Sequence, residues 1–186
     1  MKKTLLAALV IATASFGTTA MADTIGKTPQ VLNLTDNAGF FGDVFGANNK
    51  GNTFADKFTF SVSGSSMMNM NAIVSSISPS ADTGLDFTGL ALYGVGTGGA
   101  ADKLIASGTG NAAGPIDVWT LSTSNLAAGN YYLKVSGNVV GTTAASFGGA
   151  TMMMAAPVPE PETYGMMLGG LGVLGFLARR RKQKQA

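Results

Sequence analysis

The feature that most constrains the fold of this chain is a strict two-residue alternation of apolar and polar side chains. Two stretches show it most clearly, "KFTFSVSG" at 57–64 and "YYLKVSG" at 131–137. Because side chains on a β-strand point alternately to opposite faces, this pattern predicts strands with one buried face. The side chains expected to face a core are Phe58, Phe60, Val62, Tyr131, Leu133 and Val135.

Further apolar runs, separated by glycine-rich and polar turn signals, extend this pattern through most of the chain. They lie at 31–34, 68–77, 85–95, 103–107, 116–122 and 150–156. About seven or eight short strands at near-regular spacing predict an all-β fold, an antiparallel β-sandwich of jelly-roll-like type, over residues 23–156. Residues 23–50 are expected to form a loop-rich lead-in with one edge strand.

Residues 1–22 have the three parts of a secretory signal peptide. A basic start, "MKK", is followed by an apolar stretch at 5–16 and by the small residues Ala20 and Ala22 at a cleavage site. We therefore expect a signal helix that directs the chain to the Sec translocon and is removed by signal peptidase.

The C-terminal residues 157–186 have a different organisation. An uncharged run at 164–178 precedes the basic cluster Arg179, Arg180 and Arg181. As a helix this run would span about 22 Å, against about 30 Å for the hydrocarbon core of a bilayer. The basic cluster is expected on the cytoplasmic side of the membrane. This tail is thus predicted to contain a Pro-rich linker, a short transmembrane helix and a basic end.

The order of parts in this tail, Pro159-Glu160-Pro161 followed by the apolar run and the arginines, resembles a PEP-CTERM sorting signal. The resemblance implies that exosortase, a membrane-embedded cysteine protease and transpeptidase, recognises and processes the tail. It also implies export in a Gram-negative bacterium, through an inner-membrane intermediate, to a cell surface or matrix rich in exopolysaccharide, as in a biofilm.

A second resemblance concerns "FADKF", in which Phe54, Asp56 and Phe58 stand at alternate positions. This arrangement resembles the FxDxF group of PEP-CTERM proteins. The stretch "LAAGNYYLKVSG" at 126–137 is also similar to the closing strands of secreted β-sandwich modules, which are accessory domains.

The composition of the predicted domain excludes several classes of function. Residues 23–158 contain five Lys and eight Asp but no Arg or Glu, and this net charge of −3 does not favour nucleic-acid binding. The chain has no His and no Cys, which rules out a Ser-His-Asp triad, thiol catalysis and thiolate zinc sites. We therefore expect no enzymatic activity and no cofactor, with an Asp-based hydrolase as the remaining catalytic alternative.

A structural or adhesive role in an exopolysaccharide-rich coat is the main functional prediction. The alternative is a carbohydrate-binding module that recognises the polysaccharide through the exposed aromatic side chains of Trp119 or Tyr132. An exposed aromatic platform would favour carbohydrate binding, whereas a buried Trp119 would favour the structural role.

Asp56 raises a separate question. If the strand at 57–64 extends back to Phe54, alternation puts the Asp56 carboxylate on the apolar face, where an unpaired charge is costly. One explanation is that Asp56 accepts hydrogen bonds from backbone N–H groups of a neighbouring turn. The other is a Ca²⁺ site shared with Asp43 or with Asn48 and Asn49, because Ca²⁺ binds carboxylate and carbonyl oxygens.

Overall fold

A computed structural model describes residues 23–77, 83–113, 116–157 and 161–183. Within these residues the chain forms ten β-strands and one α-helix. They are β1 (Gln30–Val31), β2 (Ala38–Phe45), β3 (Thr53–Val62), β4 (Met68–Ile77), β5 (Leu85–Gly94), β6 (Lys103–Ser107), β7 (Thr109–Ala113), β8 (Ile116–Leu126), β9 (Gly129–Val139), β10 (Ala145–Ala155) and α1 (Pro161–Gln183). The predicted signal peptide lies outside the described residues.

The strands form two five-stranded sheets that share one core. Sheet A has the order β1-β3-β9-β5-β6, and sheet B has the order β2-β10-β4-β8-β7. All neighbouring strands are antiparallel except β1, which runs parallel to β3. The predicted antiparallel β-sandwich is therefore confirmed. Only β5–β6 and β7–β8 are neighbours both in sequence and in a sheet, so most sheet partners are distant along the chain.

The core consists of inward-facing side chains from both sheets. All the side chains that alternation predicted to face inward are buried. At one end of the sandwich phenylalanines join the sheets: Phe54 of sheet A stacks on Phe147 of sheet B, with ring centroids 5.6 Å apart. Phe45 of sheet B lies 4.7 Å from the same Phe54 ring. Burying each such ring contributes about 1.5–3 kcal/mol to the stability of the fold.

Strand β2 is a departure from the predicted organisation. The sequence predicted one edge strand within residues 23–50, but the structure has two, β1 at the edge of sheet A and β2 at the edge of sheet B. The glycines of β2 interrupt its alternation of apolar and polar side chains, and they allow close packing against β10. A Cβ atom on Gly42 would lie 2.5 Å from the carbonyl oxygen of Phe147 on the neighbouring strand.

Strand β7 lies where the sequence predicted a turn. The stretch "GTGNAAGP" at 108–115 carries strong turn signals, but β7 pairs with β8 at the edge of sheet B. Gly110 makes room for the indole of Trp119, since a Cβ atom at this position would lie 2.5 Å from the ring atom Cε2. Pairing with β8 has therefore overridden the local preference of these residues.

The C-terminal helix α1 corrects one prediction. It covers the uncharged run and the three arginines of the basic cluster, but no helix in the described part of the chain is long and apolar enough to cross a membrane. The predicted transmembrane helix is therefore wrong. The helix contains five glycines, Gly165, Gly169, Gly170, Gly172 and Gly175. Glycine adds little hydropathy, and the arginines end the uncharged run early.

Candidate functional site

The N-terminal segment, residues 23–31, runs parallel to β3 along the edge of sheet A. Thr24 lies opposite Thr53, and Gln30 lies opposite Phe58. Between these two pairs the segment has one residue more than the strand has. The segment therefore leaves the regular ladder at this point, and its backbone needs another hydrogen-bond partner.

Asp56 provides that partner. Its side chain is 1% exposed, and Oδ1 accepts a hydrogen bond of 2.8 Å from the backbone N–H of Lys27. Gly26 lies directly against the carboxylate, because a Cβ atom there would be 3.1 Å from Oδ1. Of the two explanations that the sequence left open for Asp56, the structure contains the backbone hydrogen bond. Phe54 and Phe58 flank it in the core.

A second buried carboxylate, Asp43 of β2, interacts with Asp56 from the opposite sheet and is 4% exposed. The Lys27 ammonium forms an ion pair with Asp43 Oδ1, which also accepts a hydrogen bond of 2.6 Å from the Val44 N–H. The Oδ2 atoms of Asp43 and Asp56 are both buried and have no hydrogen-bond partner among the described residues. From the sequence, Asp43 was singled out only as a candidate ligand of a Ca²⁺ site shared with Asp56.

This environment favours the protonated form of Asp56. Burial, the largest cause, and the adjacent Asp43 raise the pKa of Asp56 to about 6, while the hydrogen bond from the Lys27 N–H acts in the opposite direction. A proton held between the two carboxyl groups would satisfy both of their unpartnered oxygens. The cluster is thus chemically suited to holding a proton in slightly acidic solution.

The structure assembles only part of the donor set that the sequence suggested for Ca²⁺. Asp43 lies beside Asp56, but Asn48 and Asn49 belong to the loop after β2, where the Asn49 side chain donates a 3.0 Å hydrogen bond to a backbone carbonyl. Among the described residues no three acidic side chains converge as a metal site would require. The Lys27 ammonium also occupies the position beside Asp43 that a cation would need.

Tyr132 points away from the core of sheet A, as its position in the alternation predicted, but it is only 6% exposed. Tyr93 stacks on it with ring centroids 5.1 Å apart, and the Lys57 ammonium lies 4.6 Å from the centre of the ring. Its hydroxyl donates a 3.0 Å hydrogen bond to Asp102 Oδ2. Burial and this bond raise the pKa of Tyr132 to about 12. Tyr132 therefore forms part of a covered cluster and offers no open platform for a sugar.

The Trp119 ring also does not form an exposed platform. It stands on β8 opposite the buried Val74, and its half-buried ring packs against the core and over Gly110. Of the two aromatic side chains predicted to contact a glycan, neither presents an open ring face. The exposed aromatic platform expected for carbohydrate binding is therefore not formed by these two residues, and Trp119 is partly rather than fully buried.

The outer face of sheet B is the surface that sequence reasoning missed. The exposed apolar side chains on this face are Phe40, Val44, Ile73, Ile77, Ile116, Met152 and Met154. Phe40, Ala150, Ile73 and Thr120 lie side by side on four adjacent strands. None of the described strand residues on this face is charged. The alternation of Met152, Met153 and Met154 was the available signal, since only Met153 faces the core.

A groove of about 450 Å³ crosses this face. The small side chain of Ala150 lies between the larger Phe40 and Ile73, and Phe40 is 85% exposed at the edge of the sheet. The lining also includes Asn71 and Ser122, whose side chains share a 2.5 Å hydrogen bond. The groove therefore combines an apolar floor with a few polar groups.

Asp117 is another buried carboxylate that the sequence did not single out. Its Oδ2 accepts a 2.7 Å hydrogen bond from the backbone N–H of Phe87, which links β8 of sheet B to β5 of sheet A. Like Asp56, it satisfies a backbone group inside the sandwich.

The residues of the predicted sorting signal lie at the C-terminal end. Pro161 begins α1, Arg180 is exposed near the end of the helix, and Arg179 and Arg181 belong to the same helix. Pro159 and Glu160 lie outside the described residues, as do Ala20 and Ala22 of the signal-peptide cleavage site.

Comparison with known families supports this view of the tail. Residues 157–182 match the model of the PEP-CTERM protein-sorting motif, so the recognition made from the sequence is confirmed. The motif implies an exported protein that is sorted to the cell surface, with exosortase as its processing partner. The resemblance of "FADKF" to the FxDxF group stays a prediction.

Comparison with other proteins gives only a weak structural likeness. No curated protein matches the chain. Solved structures that match include the pre-peptidase C-terminal domain of a collagenase from Bacillus anthracis, at 16% sequence identity and a TM-score of 0.31. The match covers 72% of this chain and 95% of that domain. At this level of similarity it says nothing about function.

Proposed function

We propose that the protein is a non-catalytic structural and adhesive component of the extracellular matrix of a Gram-negative bacterium, delivered there by its PEP-CTERM signal. The observation that carries this proposal is the outer face of sheet B, where apolar side chains stand in solvent. Monomeric proteins rarely expose contiguous apolar patches beyond a few hundred Å², and larger patches mark interaction sites. An exported protein with such a face has a surface suited to contact with other matrix components.

The outer faces of the two sheets differ in their charge, and this difference supports the assignment. The outer face of sheet A carries Lys57 and Lys134, and its aromatic residue Tyr132 is covered by neighbouring side chains. That side has the charged character of an ordinary solvent face. The contact surface is therefore assigned to sheet B alone.

The positions of three buried acidic residues support a non-catalytic role. A hydrolase that used two carboxylates would need them in a cleft open to substrate. Asp43, Asp56 and Asp117 are instead buried, and Asp56 and Asp117 accept hydrogen bonds from the backbone.

The substitution Phe40→Lys tests the adhesive role. A lysine on the outer face of sheet B must lose its hydration when that face is covered, so the altered protein should move from the matrix into the medium. Val31→Lys is the matched control, because Val31 is also an exposed apolar residue on an edge strand, but of sheet A. Equal partition of the parent and both variants between matrix and medium would contradict the proposal.

Carbohydrate recognition is the second candidate function, favoured by the exposed Phe40 ring beside a groove that contains Asn71 and Ser122. An apolar ring with a few placed polar groups is typical of small-ligand sites. Phe40 would then have the role that the sequence assigned to Trp119 or Tyr132. Phe40→Ala should weaken retardation of the protein in native gels that contain the host polysaccharide, and Val31→Ala should not. Unchanged retardation of Phe40→Ala would contradict this candidate.

A further inference from the structure

We propose that the outer face of sheet B binds the same face of a second copy of this chain, which gives a dimer with twofold symmetry. This inference rests on the proposed function, which makes that face a contact surface, and it adds the identity of the partner. The charge, shape and area of the face each support it.

The absence of charge makes the face compatible with itself. In a twofold dimer each patch meets its own copy, so a charged side chain near the axis is brought towards an identical charge. None of the described strand residues on the outer face of sheet B is charged, and no such repulsion arises there. The outer face of sheet A carries Lys57 and Lys134, which would repel their counterparts.

The shape of the face is also self-complementary. Phe40 projects from the edge strand β2, and the groove over Ala150 begins one strand further in. Strands lie about 4.8 Å apart, so a twofold axis that runs along β4 over Ile73 would place each Phe40 ring over Thr109 on β7, at the opposite edge of the sheet of the other copy. The projecting ring would then lie on an edge strand with small side chains and be shielded from water by the other copy.

The area of the face suffices for a stable contact. Five strands at about 4.8 Å spacing and about eight residues at 3.3 Å give a projected area of about 600 Å² per copy. Because the side chains make the surface uneven, the accessible area of the face is larger than this projected area. A standard protein interface buries about 800 Å² per partner. The face is therefore of the size that specific dimers use.

Engineered cysteines can report which faces meet, because the chain has no cysteine of its own. Ile73→Cys places a thiol on the middle strand of sheet B, and Lys134→Cys places one on the middle strand of sheet A as the matched control. The exported protein is purified from producing cells and mildly oxidised. Disulfide-linked dimers are then counted after non-reducing electrophoresis.

We expect Ile73→Cys to form covalent dimers at concentrations at which Lys134→Cys stays monomeric. Adding Phe40→Lys to Ile73→Cys should lower the linked fraction about tenfold, because an aromatic anchor of the contact is replaced by a charge. If two copies associated through α1 instead, Ile73→Cys and Lys134→Cys should form covalent dimers to the same extent. Equal linkage of both thiols, or linkage that Phe40→Lys leaves unchanged, would overturn the dimer.

The outcome also separates this inference from the proposed function. If Phe40→Lys releases the protein from the matrix while Ile73→Cys forms no dimer, the adhesive role stands and another molecule covers the face. If the dimer forms but Phe40→Lys stays in the matrix, the dimer stands and the adhesive role fails.

Discussion

At the scale of single residues, the carboxyl pair of Asp43 and Asp56 connects the N-terminal segment to both sheets. Asp56 accepts a hydrogen bond from the backbone N–H of Lys27, and Asp43 forms an ion pair with the ammonium of the same lysine. Both contacts lie where the segment leaves the ladder of β3. The protonation of Asp56 therefore affects how firmly this segment is held.

The free energy of unfolding should fall as the pH rises from about 4 to about 6. Asp56 titrates near 3.8 in an unstructured chain and at about 6 in the folded protein, so the folded state binds the proton more tightly. The resulting stabilisation is complete below the lower value and is lost as the pH rises through the higher one. Because pH 4.5 lies above the lower of the two values, about 2 kcal/mol of this stabilisation should be lost between about pH 4.5 and about pH 7.5, as measured by urea unfolding.

Asp56→Asn separates this titration from those of the other carboxyl groups. The amide oxygen can accept the Lys27 hydrogen bond and the amide N–H can donate to Asp43, but the group cannot ionise. We expect the stability of the variant relative to the parent to rise by about 2 kcal/mol between the same two pH values. A difference between the two proteins that does not change with pH would show that Asp56 titrates normally.

Added Ca²⁺ should leave the melting temperature of the parent unchanged relative to a chelator. The Lys27 ammonium already neutralises part of the charge of the pair, and the Asn49 side chain is hydrogen-bonded to Gly46 and Asn52 in the loop after β2. The measurement is a thermal melt of parent and Asp56→Asn, each with Ca²⁺ and with chelator. A Ca²⁺-dependent rise in the parent that Asp56→Asn abolishes would establish the cation site instead.

At the scale of secondary-structure elements, phenylalanine packing holds the two sheets together. The ring of Phe147 on β10 lies 5.6–6.2 Å, centroid to centroid, from the rings of Phe45, Phe54, Phe58 and Phe87. Phe147→Ala should lower the free energy of unfolding by about 3–5 kcal/mol, measured by urea denaturation. Phe40→Ala, on the outer face of the same sheet, should change it by about 0.5 kcal/mol or less. Equal effects would mean that these rings do not form the core.

Strands with uninterrupted alternation could be predicted from the sequence, and β3 and β9 were. Glycine-rich β2 and β7 could not be placed, because their glycines serve close packing against partners on other strands. The same limit applies to the candidate site. The outward orientation of the Tyr132 side chain followed from the alternation. The side chains of Tyr93 and Asp102, which cover it, are distant from it in sequence. The pairing of Asp43 with Asp56 required knowledge of how the sheets face each other.

At the scale of the whole molecule, the chain combines a β-sandwich with a sorting signal at its C-terminal end. The PEP-CTERM motif determines where the protein goes, and the outer face of sheet B is the surface proposed to act there. The function proposed for that face requires export of the protein and correct processing of its tail. Processing is therefore the first step to establish.

The intact mass of the protein recovered outside the cell tests that step most directly. Exosortase processing predicts that the exported form lacks the basic cluster, whereas the same chain in cells without exosortase keeps it. Replacing Arg179, Arg180 and Arg181 by glutamine should disturb this processing, since the three arginines belong to the stretch that matches the sorting motif. Recovery of an exported form that still carries residues 179–186 would contradict the account.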